Sequence, residues 1–141
     1  MHTRKYEPRG FTLIEILVVL GIIALLAAIV LIAINPARQF AQARNSQRVS
    51  NVNSILNAVG QNMADNKGIF LCGAGPITAS STVMKSSGGY NIRDCIVDKY
   101  MSEIPVDPRT GSAWDGSAYD TGYTIVASST TGRVTVEAPA A

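Results

Sequence analysis

A run of 24 residues, from Phe11 to Ile34, constrains this sequence more than any other feature. It contains 21 apolar residues and only three others, Thr12, Glu15 and Gly21. As an α-helix it would be about 36 Å long, which exceeds the roughly 30 Å thickness of the hydrocarbon core of a bilayer. Apolar side chains surround it, so its partner is lipid or other apolar helices. A removable signal peptide fits less well, because its apolar region usually spans about 7–15 residues.

The formal charge of the chain is +2, and its first ten residues account for all of it. They hold Arg4, Lys5 and Arg9 against Glu7, whereas the other 131 residues hold nine basic and nine acidic groups. So small a charge argues against a basic nucleic-acid-binding protein, and 141 residues suffice for one small domain plus an appendage. We therefore expect a charged leader at 1–10, a membrane segment and a small polar head.

Glu15 places a carboxylate inside the apolar run, where an ionised group is costly. Thr12 and Glu15 have the spacing of a capping box, and a carboxylate suits the positive end of a helix. Capping explains the position of Glu15, but it does not explain why Arg9, Gly10 and Phe11 precede it.

Residues 10–24, which read GFTLIEILVVLGIIA, follow a short basic leader and resemble the N-terminus of type IV prepilins and of type II secretion pseudopilins. The resemblance implies that a prepilin peptidase cuts between Gly10 and Phe11 and that the new amine of Phe11 is methylated. It also implies that Glu15 pairs with the terminal amine of a neighbouring subunit, a role compatible with capping. A single buried polar pair that fixes register is a well-attested device.

The resemblance also implies where the chain acts and what it contacts. The subunit would span the inner (cytoplasmic) membrane once, with its leader in the cytoplasm, before a pilus or secretion assembly platform adds it to a homo-oligomeric helical filament. That filament would lie on the cell surface or in the periplasm. Charge alone does not orient the chain, because three basic residues flank each end of the apolar run.

An amphipathic helix is predicted after Asn35 and Pro36, where proline favours a kink or break. One approximate apolar face consists of Phe40, Val49, Val52, Ile55, Leu56, Val59 and Met63. The predicted organisation is a leader at 1–10, a long helix at 11–66 and a head at 67–141, with 11–34 forming the membrane span or filament core. The predicted fold class is α+β, with the long helix packed on a small antiparallel β-sheet.

The head has little apolar mass, so we expect external bracing. Cys72 and Cys95 are the only cysteines and are expected to form a disulfide in the exported compartment, with two free thiols as the alternative. The stretch 73–89 is rich in glycine, serine and threonine and predicts a long surface loop. Segments 123–128 and 133–138 predict a β-hairpin, with a third strand near 114–119 and a short helix at 92–101.

Asp107, Asp115 and Asp120 offer hard oxygen ligands within one stretch, and some pseudopilins bind calcium in the equivalent region. The spacing matches no strict calcium motif, and aspartate beside glycine is ordinary turn chemistry. A calcium site and plain turns therefore both stay open, and no other cofactor is expected.

Arg44 and Arg48 lie four residues apart and predict a shared basic face. Because the chain after residue 10 is neutral, contact with lipid headgroups or salt bridges between subunits is favoured over nucleic-acid binding.

The sequence contains no nucleophile–base pair, phosphate loop or metal cluster, and its one histidine, His2, lies in the leader. We therefore expect a peptidase substrate rather than an enzyme. The leading hypothesis is a structural subunit of a type IV pilus-like filament. The alternatives are a pseudopilin of a type II secretion system and a single-pass membrane-anchored binding module that does not polymerise.

Overall fold

The computed structural model describes residues 10–141, so all of the predicted leader except Gly10 lies outside the described residues. The chain divides between Phe40 and Ala41 into two compact units. The elements are α1 (Leu13–Ile34), α2 (Pro36–Asp65), β1 (Thr82–Lys85), α3 (Arg93–Ile96), β2 (Asp120–Ala127) and β3 (Val134–Glu137). This order of a long N-terminal apolar helix, a second helix and a small sheet confirms the predicted α+β class.

The first unit is dominated by α1, which buries none of its 22 residues against the described chain. It is long and apolar enough to cross a membrane. The helix ends at Asn35, whose φ of 43° is left-handed, and Pro36 follows it directly. Asn35 also caps the first turn of α2, since its carbonyl and Oδ1 atoms accept hydrogen bonds from the Arg38 amide at 3.2 and 3.4 Å. The predicted break at Asn35 and Pro36 is confirmed.

In the second unit, α2 packs on the sheet through a stripe that differs in part from the predicted one. Val49 is 63% exposed, so its assignment to the apolar face was wrong. Phe40, which lies in the first unit, is 65% exposed. The buried α2 positions are Arg48, Asn51, Ile55, Ala58, Val59 and Asn62. The buried stripe includes polar residues because each of them forms hydrogen bonds with the head. The periodicity of apolar residues in the sequence does not predict these bonds.

The sheet has the order β1-β2-β3, and both strand pairs are antiparallel. Strands β2 and β3 form the predicted hairpin, with Ile125 opposite Val136 and Ala127 opposite Val134. Tyr123 and Ile125 point from β2 into the core, where both are fully buried. The other members of the core with almost no exposure are Ile55, Val59, Met84, Ile92 and Ile96.

The third strand is not where it was predicted. Strand β1 lies at Thr82–Lys85, inside the predicted loop 73–89, whereas 114–119 forms turns. The edge of β1 that faces away from β2 forms backbone hydrogen bonds with Tyr90, whose amide donates to the Val83 carbonyl at 2.9 Å. Gly89 permits this approach, because a Cβ there would lie 2.3 Å from the Val83 oxygen. A four-residue strand set among serines and glycines gives no periodic signal.

The predicted helix at 92–101 is shorter than expected, since α3 covers only Arg93–Ile96. Tyr119 supports its start, because its hydroxyl accepts hydrogen bonds from the amides of Ile92 and Arg93 at 3.0 and 3.2 Å.

The predicted disulfide between Cys72 and Cys95 is confirmed, with 5.1 Å between the two Cα atoms. Asn62 on α2 binds both sides of this bridge. Its Nδ2 donates to the carbonyls of Leu71 and Cys95 at 3.0 and 3.2 Å, and its Oδ1 accepts from the Leu71 amide at 2.9 Å. The disulfide segment is thereby tied to the C-terminal half of α2.

A buried ion pair ties the middle of α2 to the turn before β2. Arg48 Nε and Nη2 donate to Asp107 Oδ2 and Oδ1 at 2.6 and 3.3 Å, and almost nothing of either side chain is exposed. The amides of Arg109 and Thr110 also donate to Asp107 Oδ1, at 2.8 and 3.0 Å. One turn along α2, Asn51 Nδ2 donates to the Val106 carbonyl at 3.0 Å.

We predict that Asp107→Asn lowers the free energy of unfolding by about 3–5 kcal/mol, because it leaves the Arg48 guanidinium buried without a counter-charge. The measurement is urea unfolding of the full-length protein in detergent, followed by Trp114 fluorescence. The control is Glu103→Gln, which breaks the more exposed pair with Arg93 and should cost less than about 1 kcal/mol. Equal losses in the two variants would contradict this interpretation of the buried pair.

We also predict how this difference depends on pH. The Arg48 guanidinium, aided by the Arg109 and Thr110 amides and opposed by burial, holds the pKa of Asp107 well below its usual range. The unfolded chain therefore takes up the proton first, near pH 4, and the stabilisation is lost as the pH falls from there toward the folded pKa. Above about pH 5 the gap between wild type and Asp107→Asn should be constant, and it should narrow below pH 4. A gap that widens on acidification would contradict the assignment.

Candidate functional site

The candidate site is the start of the first unit, where the predicted cleavage point meets α1. Gly10, Phe11 and Thr12 precede the helix and are exposed. Phe11 is 86% exposed, and a Cβ placed on Gly10 would meet no atom within 4 Å. The described chain thus has no packing reason for glycine at this position, and the Gly10–Phe11 bond lies in accessible, non-helical backbone.

Thr12 and Glu15 form the predicted capping box. The Thr12 hydroxyl accepts from the Glu15 amide at 3.2 Å, and Glu15 Oε2 accepts from the Thr12 amide at 2.9 Å. The Thr12 hydroxyl also lies 3.0 Å from Oε2 as a donor. These bonds satisfy two amides that the first turn of a helix leaves without backbone partners.

The cap uses one oxygen of the carboxylate and leaves the other available. Within residues 10–141, Glu15 Oε1 accepts no hydrogen bond, and the side chain is exposed. Every atom of the cap belongs to residues 12–15, so cleavage after Gly10 would leave it intact. The geometry therefore allows Glu15 to cap its own helix and, through Oε1, to accept a bond from an ammonium group of another chain.

The surface of α1 beyond Glu15 offers only apolar contacts. Large aliphatic side chains from Leu13 to Ile34 are at least half exposed. Burying such surface against lipid or against like helices is favourable, whereas leaving it in water is not.

The structure places the three aspartates predicted as metal ligands in separate roles. Asp107 faces Arg48, Asp115 Oδ1 accepts from the Ser117 and Ala118 amides at 2.8 Å each, and Asp120 Oδ1 accepts from the Gly122 amide at 2.9 Å. Over the described part of the chain, no three His, Cys, Asp or Glu residues group closely enough to hold a metal ion. The arrangement fits turn chemistry, and calcium binding stays a prediction from the sequence.

The predicted basic face shared by Arg44 and Arg48 does not form, because Arg48 is buried. Arg48 is 4% exposed and engaged by Asp107, so it is not available to lipid, nucleic acid or a second subunit. No local pattern in the sequence predicts this pair, because the two residues lie 59 positions apart. The Asp-Pro-Arg-Thr segment at 107–110 was the available signal, since an aspartate there commonly accepts from the amides that follow it.

Comparison with known proteins gives a match at this same segment. The family model described as the prokaryotic N-terminal methylation motif matches residues 8–31. No curated protein and no solved structure matches the chain.

The matched residues include the predicted cleavage point, the capping box and most of α1. The resemblance that the residues predicted is thereby confirmed for the N-terminal segment: the chain carries the methylation motif that is the hallmark of type IV pilin-like proteins and pseudopilins.

Proposed function

We propose that the chain is a structural subunit of a type IV pilus-like filament, cut by prepilin peptidase and polymerised through α1. The observation that carries the proposal is the coincidence, within one segment, of the methylation motif and a helix that buries nothing against residues 10–141. The motif supplies the processing step, and the exposed apolar helix supplies the surface for assembly.

Processing in this proposal is hydrolysis of the Gly10–Phe11 peptide bond. Water adds across the bond, Gly10 leaves with a carboxylate, and Phe11 keeps a positively charged amine. That amine then loses a proton and takes a methyl group from a sulfonium methyl donor, whose carbon–sulfur bond breaks to leave a neutral thioether. The chain is the substrate of this reaction and performs no catalysis itself.

Assembly then removes both charges from water together. The amine of Phe11 on one subunit meets Glu15 Oε1 of a neighbour, and each charge offsets the cost of burying the other. The α1 helices form the filament core after leaving the inner membrane, and the disulfide-braced heads form its surface.

The methylation motif is shared by pseudopilins, so a type II secretion pseudopilus is the second candidate. Electron microscopy of intact cells at native expression distinguishes the two, because only a pilus subunit should give long surface fibres. A single-pass anchored module that does not polymerise would give neither fibres nor subunit cross-links.

We predict that mass spectrometry of the protein extracted from membranes finds an N-terminus at methylated Phe11. Gly10→Val should block this cleavage while the head stays folded, because position 10 contacts nothing in the described chain. The control is Gly73→Val, a second open position, which should be processed normally. An N-terminus at Met1 or beyond Ile34 in the wild-type protein would contradict the proposal.

We predict further that Glu15→Gln lowers incorporation into filaments by about 100-fold or more, because the Phe11 amine is then buried without a counter-charge. Glutamine keeps an oxygen that can accept from the Thr12 amide, so the capping box survives. The measurement is the ratio of sheared filament protein to membrane protein on immunoblots.

The matched variant is Thr12→Ala, which weakens the cap and keeps the charge, and it should assemble close to the wild-type level. If Glu15→Gln assembles normally while Thr12→Ala does not, Glu15 acts as a cap alone and the pairing role is wrong.

A further inference from the structure

The outer edge of β3 is unpaired in the described part of the chain. Strand β3 stands at the end of the sheet and pairs with β2. The Ser128 amide donates to the Arg133 carbonyl at 2.9 Å, which makes these two residues a hydrogen-bonded pair of the ladder. Because bonded and non-bonded pairs alternate along such a ladder, Val134 and Val136 direct their backbone N–H and C=O groups away from β2. Among residues 10–141 no backbone group bonds to them, so this edge is a template for another strand.

The side chains along this edge also alternate. Arg133, Thr135 and Glu137 are exposed on one face, whereas Val134 is partly buried and Val136 lies in the core. Neither Arg133 nor Glu137 forms a salt bridge within the residues that the structure describes. Charged residues on an edge usually hinder pairing with another chain, but these two charges have opposite signs.

The edge segment, residues 133–137, reads RVTVE and is complementary to itself when two copies run antiparallel. With Thr135 opposite the same residue of the second copy, each Arg133 lies directly opposite the other copy's Glu137. The same register sets Val134 opposite Val136, so the outward backbone groups of the two strands meet as hydrogen-bonded pairs. A parallel arrangement would set like charges side by side, and a shift of two residues would remove both charge pairs.

We propose that the outer edge of β3 is an interface between two copies of this chain, which join their sheets across a two-fold axis at Thr135. Two three-stranded sheets become one continuous sheet, and Arg133 of each copy lies beside Glu137 of the other. The occupant is a second copy because the charge pattern of the edge segment fits its own reverse. Two short edges give a small interface, so the contact is weak and reversible. It closes on itself, so it pairs heads without lengthening a filament and does not rest on the proposed polymerisation.

The test is disulfide trapping of the full-length protein in detergent, with Thr135→Cys as the probe. The two native cysteines are bonded to each other, so the probe carries the free thiol. In the proposed register the two probe residues form a non-hydrogen-bonded pair with Cα atoms about 4.5 Å apart, a distance that a disulfide spans.

The matched control is Thr131→Cys, at an exposed threonine of the hairpin loop. In the proposed register the two copies of residue 131 lie about 26 Å apart. Under mild oxidation the covalent dimer should therefore form at least about tenfold faster with Thr135→Cys than with Thr131→Cys.

Charge reversal tests the register itself. In the Thr135→Cys background, Arg133→Glu sets like charges opposite each other at both pairs and should slow dimer formation about tenfold. Adding Glu137→Arg restores both pairs in the opposite sense and should restore the rate of the probe alone, which also shows that the head is folded. Arg109→Glu reverses another exposed arginine of the head and should leave the rate unchanged.

Equal trapping at positions 135 and 131 overturns the proposal, since the heads would then collide without a fixed register. Trapping at position 135 that is insensitive to Arg133→Glu also overturns it, because contact through α1 accounts for such dimers. A rate that Arg133→Glu lowers and Glu137→Arg does not restore overturns it as well, since Arg133 would then bind another group. These outcomes concern the head alone, so they are separate from cleavage after Gly10 and from incorporation into filaments.

Discussion

The wholly exposed apolar surface of α1 is the constraint on which the rest of the molecule depends. A helix of 22 residues that buries nothing within the described chain is not stable against water, so its environment comes from outside. In the proposed function, lipid covers this surface before assembly and like helices cover it in the filament. Because both environments are apolar, moving α1 between them costs little hydrophobic free energy. The axial position of α1 in the filament then depends on its polar groups.

The head meets the opposite problem, since it has to fold with a small core. Its core includes Ile55 and Val59 of α2. Three polar connections to α2 lie at successive levels of the helix: Arg48 binds Asp107, Asn51 binds Val106, and Asn62 binds the disulfide segment. Each bond is directional, so together they fix the register of helix against sheet more narrowly than aliphatic contacts do. Breaking one leaves a buried partner unsatisfied, which costs more than the bond contributes when made.

Local signals in the sequence predicted most of what lies close together in the chain. The capping box at Thr12 and Glu15, the break at Asn35, the hairpin and the disulfide all follow from short-range patterns or from the only available cysteines. The errors concern residues whose partners are distant. The local sequence predicts an exposed Arg48 because its partner, Asp107, lies 59 positions away, and it predicts a loop at β1 because the residues that pair with β1 come from β2. Whether a polar group can be buried depends on the partner that it binds, and no periodicity in α2 predicts that partner.

Glu15 shows how one carboxylate can serve two stages. The cap is made from residues 12–15 alone, so it forms before cleavage and persists after it. By fixing Oε2 against the Thr12 amide, it holds the side chain toward the start of the helix. In the proposed filament, Oε1 is then already oriented when a neighbouring amine arrives, and little side-chain entropy remains to be lost. A glutamine would keep the cap and lose the attraction, whereas an unrestrained glutamate would keep the charge and pay more entropy to use it. The capping box therefore prepares the subunit contact rather than competing with it.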